Sequence, residues 1–281
     1  AGARNLSMAR TGAIGVVLPD LHGEFFSEML RGMEREAALR QRHLLLSNMH
    51  LDIGHGIEAL RNMRGRVDGL IVMAPHMNLD ELFAHLPPSI PAVLLNCQDN
   101  GQGRPELRVD NVAGARAMVR HLLDCGRRAI VHIEGPAGNI EAADRSRGYA
   151  EAMEAAGLQP VILPGNFDEE SGHSAVARLQ ADQLDVDAIF AANDMMAIGA
   201  LVALRDMGVD VPSQVAVAGF DNIPLARLIS PGLTTMAVDI ADMGARGINR
   251  LVALIDGEAV PQMELRQPGL IIRTSSQLSA A

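Results

Sequence analysis

The sequence predicts an α/β fold of two Rossmann-like lobes, each a doubly wound parallel sheet. Three observations carry that expectation. Short apolar runs alternate with stretches of helical periodicity along the whole chain, the pattern of repeated β-α-β units. The alternation pauses in the polar, Gly- and Asn-rich NCQDNGQGRP at 96–105 and then resumes, so two arrays of similar length follow one another. At 281 residues the chain is also long enough for two cores of ordinary domain size.

The first array starts with a strand at 13–18, stopped by Pro19, and a helix at 24–42 with Phe26, Leu30, Met33 and Ala37 on one face. A strand at 43–47, a helix at 53–64, a strand at 70–73 closed by Pro75, a short helix at 79–86 and a strand at 92–95 complete it. The second array restarts at Val109-Asp110. It continues with a helix at 112–125, a strand at 129–133, a helix at 142–156, a strand at 161–163 and a helix at 169–180. The unit at 187–222 is the most legible. Apolar 188–192 reads as a buried strand, and Asn193-Asp194 can cap a helix start. Met195, Ile198, Leu201, Val202 and Met207 then recur at helical spacing until Gly208, and a second apolar run, 215–220, ends at Asp221-Asn222. Asn193 and Asp221 therefore both sit at carboxyl ends of parallel strands, where open α/β sheets bind ligands. A helix at 240–255 with Met243, Ile248, Leu251 and Leu254 as its stripe, and a strand at 270–273, close the chain.

Composition excludes several functions. Hydrophobic residues make up 48% and charged residues 21%, which suits a globular domain, and no apolar run approaches the length of a membrane span. The N-terminal AGARNLSMART lacks the apolar core of a secretory signal, so a cytoplasmic protein is expected. A net charge of −10 repels phosphate backbones, so these residues alone should bind DNA poorly. Aromatic content of 2% leaves no series of stacking platforms for single-stranded nucleic acid. Cys97 and Cys125 have no metal-ligand spacing, and Cys125, at the end of an apolar helix, reads as buried and inert. His22, His50, His55 and His76 fall in loops after strands, but no HExxH, GxSxG, GxxxxGK[ST] or strand-borne GxGxxG is present. No enzyme, no metal and no cofactor is expected.

ANDMMAIGALVALRDMGVDVPSQVAVAGFDN (192–222) resembles a signature of the lactose-repressor (LacI) family of bacterial transcription regulators, whose effector-binding core is similar to a type I periplasmic sugar-binding protein. RTGAIGVVLPDLHGEFFSEML (10–30), VDNVAGARAMVRHLLDCGRR (109–128), DRSRGYAEAMEAAGL (144–158) and SPGLTT (230–235) carry the resemblance over essentially the whole chain. It implies two lobes joined by three crossings: a linker remnant at 1–10, an N-terminal lobe at 11–109 and 239–267, and a C-terminal lobe at 110–238 and 268–281. It also implies a small effector held in the interlobe cleft, operator DNA as a partner through a helix-turn-helix headpiece, and a homodimer. GARNLSMART resembles the end of the family's hinge helix, with Leu6 at the position of the leucine that wedges into the minor groove.

The candidate ligand contacts follow from strand ends and from the resemblance together. Asp221 can accept paired hydrogen bonds from vicinal hydroxyls or a base-edge amine; an Asx-type turn is the plain alternative. Arg145 matches a family arginine that forks onto the ligand, against a helix-face cation paired with Glu141 or Asp144, and Arg147 stands two residues on. Asn193 and Asp110 suit either ligand contact or helix capping. Phe25 and Phe26 offer an apolar face for a sugar ring or base, with Phe25 favoured because Phe26 shares the stripe of Leu30 and Met33. Phe167 is read as a lid contact with Asp168 capping the next helix, and Asn96 as a polar residue facing the ligand. Val238, where several sugar-responsive relatives are polar, leaves the effector unnamed: a sugar or sugar derivative, with a purine as the other choice. Met195, Ile198 and Val202 are candidate dimer-interface residues. A periplasmic sugar-binding protein of a transporter is the alternative function.

Overall fold

The computed structural model describes residues 10–21, 23–84, 89–97 and 103–277; Leu6 and His22 lie outside the described residues. The chain forms two compact units. One takes the chain to Arg108 and then Ala241–Glu264, and the other Val109–Ile240 and the chain from Leu265.

In the first unit, β1 (Ala13–Leu18), β2 (His43–Asn48), β3 (Gly69–Met73) and β4 (Ala92–Leu95) run parallel, with α1 (Glu24–Leu39), α2 (Ile53–Met63) and the short α3 (Leu79–Phe83) between them. β5 (Glu106–Val109) and β11 (Met263–Arg266) extend the sheet, giving the order β11-β5-β4-β3-β1-β2. Side-chain alternation along β3 builds two half-cores. Leu70 and Val72 pack with Leu60, Met63 and Leu82 on one face. On the other, Gly69 and Ile71 meet α8 (Ile240–Ile255), through Leu251 and Gly247 respectively. The α8 helix also lies tight on α1: a Cβ at Gly32 would stand 1.9 Å from the carbonyl oxygen of Ala241.

The second unit repeats the winding. β6 (Ile130–Ile133), β7 (Val161–Leu163), β8 (Ala188–Ala191) and β9 (Ala216–Ala218) are parallel in the order β7-β6-β8-β9. Helices α4 (Asn111–Asp124), α5 (Ile140–Ala155), α6 (Glu169–Ala181) and α7 (Asp194–Asp206) connect them. β10 (Thr235–Ala237) pairs antiparallel with β12 (Gly269–Ile271), and Gly219 N–H reaches the Thr234 carbonyl to fasten this ribbon to β9. Tyr149 stacks on buried His132 at 5.0 Å and donates its hydroxyl to the Ile130 carbonyl, pinning α5 to β6.

Helix starts obey local chemistry. Asp52, Asn78, Asp110, Asn139, Asp168 and Asn193 each cap the helix that follows by accepting from backbone N–H groups. Four sequence expectations are corrected. The first helix buries Met29, Gly32, Met33 and Ala37, so Phe26 and Leu30 sit half-exposed beside the stripe rather than in it. A strand at 106–109 was not expected; it belongs to the first unit's sheet, because β5 hydrogen-bonds onto β4. β11 was not expected; its four residues have half of their side chains exposed and show no apolar run. Cys125 is half-buried at the end of α4, not buried, with its thiol 3.9 Å from the His121 ring.

Gly32→Ala should lower the melting temperature by several degrees, since a methyl forced against the Ala241 backbone costs roughly 1–3 kcal/mol. Gly269→Ala, where a Cβ meets nothing within 4 Å, should leave it unchanged in the same calorimetric scan.

Candidate functional site

The start of α4 and the carboxyl-terminal ends of β8 and β9 converge on Arg145. The residue lies in the second turn of α5, whose start Asn139 fixes by accepting from Glu141 and Ala142 N–H. Its side chain is buried and committed on every edge. Nε donates to Asn111 Oδ1 at 2.8 Å, at the start of α4, and Nη1 to the Ala192 carbonyl at 2.6 Å, at the end of β8. Nη2 forms an ion pair with Asp221 Oδ1 at 3.2 Å, beyond β9, and lies 3.7 Å from Glu141 Oε1. The guanidinium plane rests on the Phe220 ring at 3.9 Å, where the ring quadrupole favours a cation.

Asp221 is held in an uncommon backbone conformation, φ 111°, with its N–H donated to the Met236 carbonyl at 2.8 Å. Its Oδ1 is buried and faces the Arg145 guanidinium at 3.2 Å. Burial pushes the Asp221 carboxyl up from 3.8 to about 6 despite Arg145. Glu141, buried one helical turn before Arg145, is pushed by burial from 4.5 to about 7, against the pull of the guanidinium and with the push of Asp221. Asp194 is buried as well; burial, then Asp221, raises it well above the usual carboxylate range. It accepts the Thr235 hydroxyl at 2.5 Å and the Ile223 N–H at 2.9 Å, which ties the β9 and β10 ends to the start of α7.

The structure thus brings Arg145 and Asp221 together, with Phe167 near by, its ring 5.9 Å from the guanidinium. The other candidates in this unit serve as caps. Asn193 Oδ1 accepts from Met196 N–H and its Nδ2 donates to the Phe167 carbonyl, so both ends of the amide are engaged. Asp110 Oδ1 accepts from Ala113 N–H and Oδ2 from Gln267. Asp168 caps α6 as expected. Arg147 is exposed and pairs with Asp144 at 2.8 Å, a surface ion pair. In the first unit, Phe25 and Phe26 form an edge-to-face pair at 5.4 Å at the start of α1. Asn96 is buried beyond β4 at φ 46°, and Cys97, which follows it, donates to the Leu95 carbonyl with its thiol pushed by burial to about 12. Among the described residues no group of His, Cys, Asp and Glu could hold a metal ion.

Sequence reasoning passed over Asn111, Phe220, Asp194 and Thr235, and treated Glu141 only as a helix-face partner. The one available signal was spacing: Glu141 and Arg145 are four apart, hence on one face of α5. Arg145 is 3% exposed, so it is not a solvated helix-face cation.

Two outcomes follow from this chemistry. Arg145→Ala should destabilise the second unit by roughly 3–5 kcal/mol, because it leaves buried carboxylates without their cation; denaturant titration measures it. Glu141 and Asp221 have folded values above their unfolded ones, so their contribution is fully present below pH 4 or so and is lost as pH rises through about 6 to 7. The melting temperature of the free protein should therefore fall across that window, and Glu141→Gln should flatten the fall.

Comparison with known proteins completes the description. The model of a periplasmic binding protein-like domain matches residues 119–276. The ribose operon repressor of Halalkalibacterium halodurans is 30% identical over 280 residues, covering 98% of this chain and 82% of that protein. A putative transcriptional regulator of the LacI family from Sanguibacter keddieii superposes with a TM-score of 0.83 at 31% identity, covering 95% of this chain and 99% of that one. The transcriptional regulator CelR, solved as a cellobiose complex, gives 0.85 at 27% identity, covering 95% and 85%.

Proposed function

This chain belongs to the LacI family of transcription regulators, and from that premise we propose that it is the effector-binding and dimerisation core of a ligand-responsive repressor. It is not an enzyme; its relatives regulate transcription. One observation carries the effector reading. A buried guanidinium and a buried carboxylate, the latter on a strained strand end, pair at 3.2 Å where a doubly wound sheet binds ligands. Arg145 and Asp221 are the central contacts. Phe25, Phe26, Asn96 and Phe167 contribute further contacts, and Asn193 and Asp110 touch the ligand through the lone pairs that capping leaves over.

A sugar or sugar derivative is the first choice of effector, since one relative is a ribose operon repressor and another regulator was solved with cellobiose; a purine is the second. Effector binding acts on operator DNA by favouring one of two arrangements of the regulator, the headpieces reading the result. No helix among the described residues is long and apolar enough to cross a membrane, and a cytoplasmic location is proposed with the family.

Dimerisation is assigned to α7. Its core face is Ala197, Ala200, Leu201 and Leu204, all buried, whereas Met195, Ile198 and Val202 form a separate, half-buried apolar stripe. A two-fold contact would cover such a stripe with its own copy.

A thermal-shift screen of sugars and nucleobases tests the effector: a ligand of the folded state must raise the melting temperature, and silence across both classes overturns the reading. Against the sugar or base so found, Asp221→Asn should weaken binding about ten- to a hundredfold by calorimetry, the value of one or two hydrogen bonds to a charged group. Sedimentation at micromolar concentration should show a dimer that Ile198→Asp converts to monomer.

A further inference from the structure

Phe167 occupies a place that its own backbone does not favour. Its φ is 65°, in the left-handed region where Gly or Asn fits most readily. The ring stays half-exposed, so neither local conformation nor core filling calls for an aromatic there. Gly135 presents the converse. It is buried just beyond β6, and its φ lies outside the left-handed region and makes no demand for glycine. Space is what forbids a side chain. A Cβ on Gly135 would overlap Cε1 of the Phe167 ring and stand 2.5 Å from its Cζ and 2.9 Å from the Ala142 Cβ.

Three neighbouring strand ends hold the ring. Phe167 follows β7, Gly135 follows β6 and Asn193 follows β8, in a sheet ordered β7-β6-β8-β9. Asn193 Nδ2 donates to the Phe167 carbonyl at 2.8 Å, while its Oδ1 caps α7. Upstream, a Cβ on Gly165 would stand 2.5 Å from the Met196 sulfur, so the chain entering the turn is pressed onto α7. Downstream, Asp168 caps α6. With the backbone fixed on both sides, the seat at Gly135 decides where the ring lies. There it stands 5.9 Å from the Arg145 guanidinium, within reach of the same ligand.

We propose that Gly135 is a positioning residue of the effector site: its missing side chain, together with Asn193 Nδ2, holds the Phe167 ring beside Arg145, where the ring face meets the effector. The proposal rests on the reading of this strand-end edge as the effector site and names what sets one of its walls. A half-exposed ring can turn outward about its Cα–Cβ bond, so a methyl at 135 displaces the ring more than it harms the fold.

The test is a double-mutant cycle on binding of ribose, glucose, galactose, cellobiose, adenine and guanine, followed by thermal shift and calorimetry. Gly135→Ala should weaken whichever of these binds about three- to tenfold, the worth of one aromatic contact, and Phe167→Ala about as much. The double variant should bind no more weakly than Phe167→Ala alone. A methyl that merely disturbs the start of α5 through Ala142 would weaken binding equally in both backgrounds, so additive losses overturn the proposal. Unchanged affinity in Gly135→Ala overturns it too, and both results leave the effector site standing. A second readout needs no ligand. The protein contains no tryptophan, so Phe167→Trp makes a single reporter. Adding Gly135→Ala should shift its emission to longer wavelength and raise its quenching by acrylamide; an unchanged spectrum overturns the proposal. Should Gly135→Ala not fold by circular dichroism, Asn193→Asp decides in its place. It keeps an acceptor for Met196 N–H, drops the donor to Phe167 and should give the same shift of the reporter. If no member of the panel binds, the effector reading falls and takes this inference with it.

Discussion

The buried guanidinium of Arg145 is the constraint on which the second unit's site depends. Taking a cation out of water is costly unless its donors and its charge are matched, and here the matches come from separate pieces of chain. The start of α4 supplies Asn111, the end of β8 the Ala192 carbonyl, and the segment beyond β9 both Asp221 and the Phe220 ring. One side chain thus fixes the mutual placement of three sequence segments whose order along the chain gives no hint of it. The same arrangement sets the Asp221 carboxylate 3.2 Å from the guanidinium, so a cation and an acceptor stand together at one strand end.

The winding explains why the convergence occurs at that place. In a parallel sheet every helix begins just after a strand ends, so strand ends and helix N-termini share one edge. In the second unit that edge carries Asn139, Asp168 and Asn193 as caps and Asp194 as the tie between α7 and the β10 segment. The first unit repeats the order of winding, with β1 one place in from the edge and β2 on the flank, and likewise sets Asn96 just beyond a strand end. Asn and Asp are needed at this edge for helix initiation whether or not a ligand is present. That overlap is why capping and ligand contact could not be told apart for Asn193 and Asp110.

Charge gives the site its second property. A net −10 protein places three acids and one arginine in a buried cluster, and burial answers by raising the carboxyls, Asp221 to about 6 and Glu141 to about 7. Such groups titrate close to neutral pH, so the state of the site depends on its surroundings in a way that exposed pairs such as Arg147–Asp144 do not.

The sequence by itself determined the alternation of strands and helices, most of their limits, the caps and the family, because these depend on neighbours a few residues apart: apolar period, Asn or Asp before a helix, Gly after it. Ala13–Leu18, Ala92–Leu95, Val161–Leu163 and Ile240–Ile255 could be read to the residue. The tertiary structure decided what depends on distant partners. It chose Met29 over Phe26 for the stripe of α1, because α8 sets which face is covered. It made an edge strand of 263–266, which has no apolar run to announce it. It also buried Arg145 while leaving Arg147 on the surface. Two arginines two residues apart on a helix point in different directions, and only the position of α5 against the β8 and β9 ends says which of them faces the carboxylates.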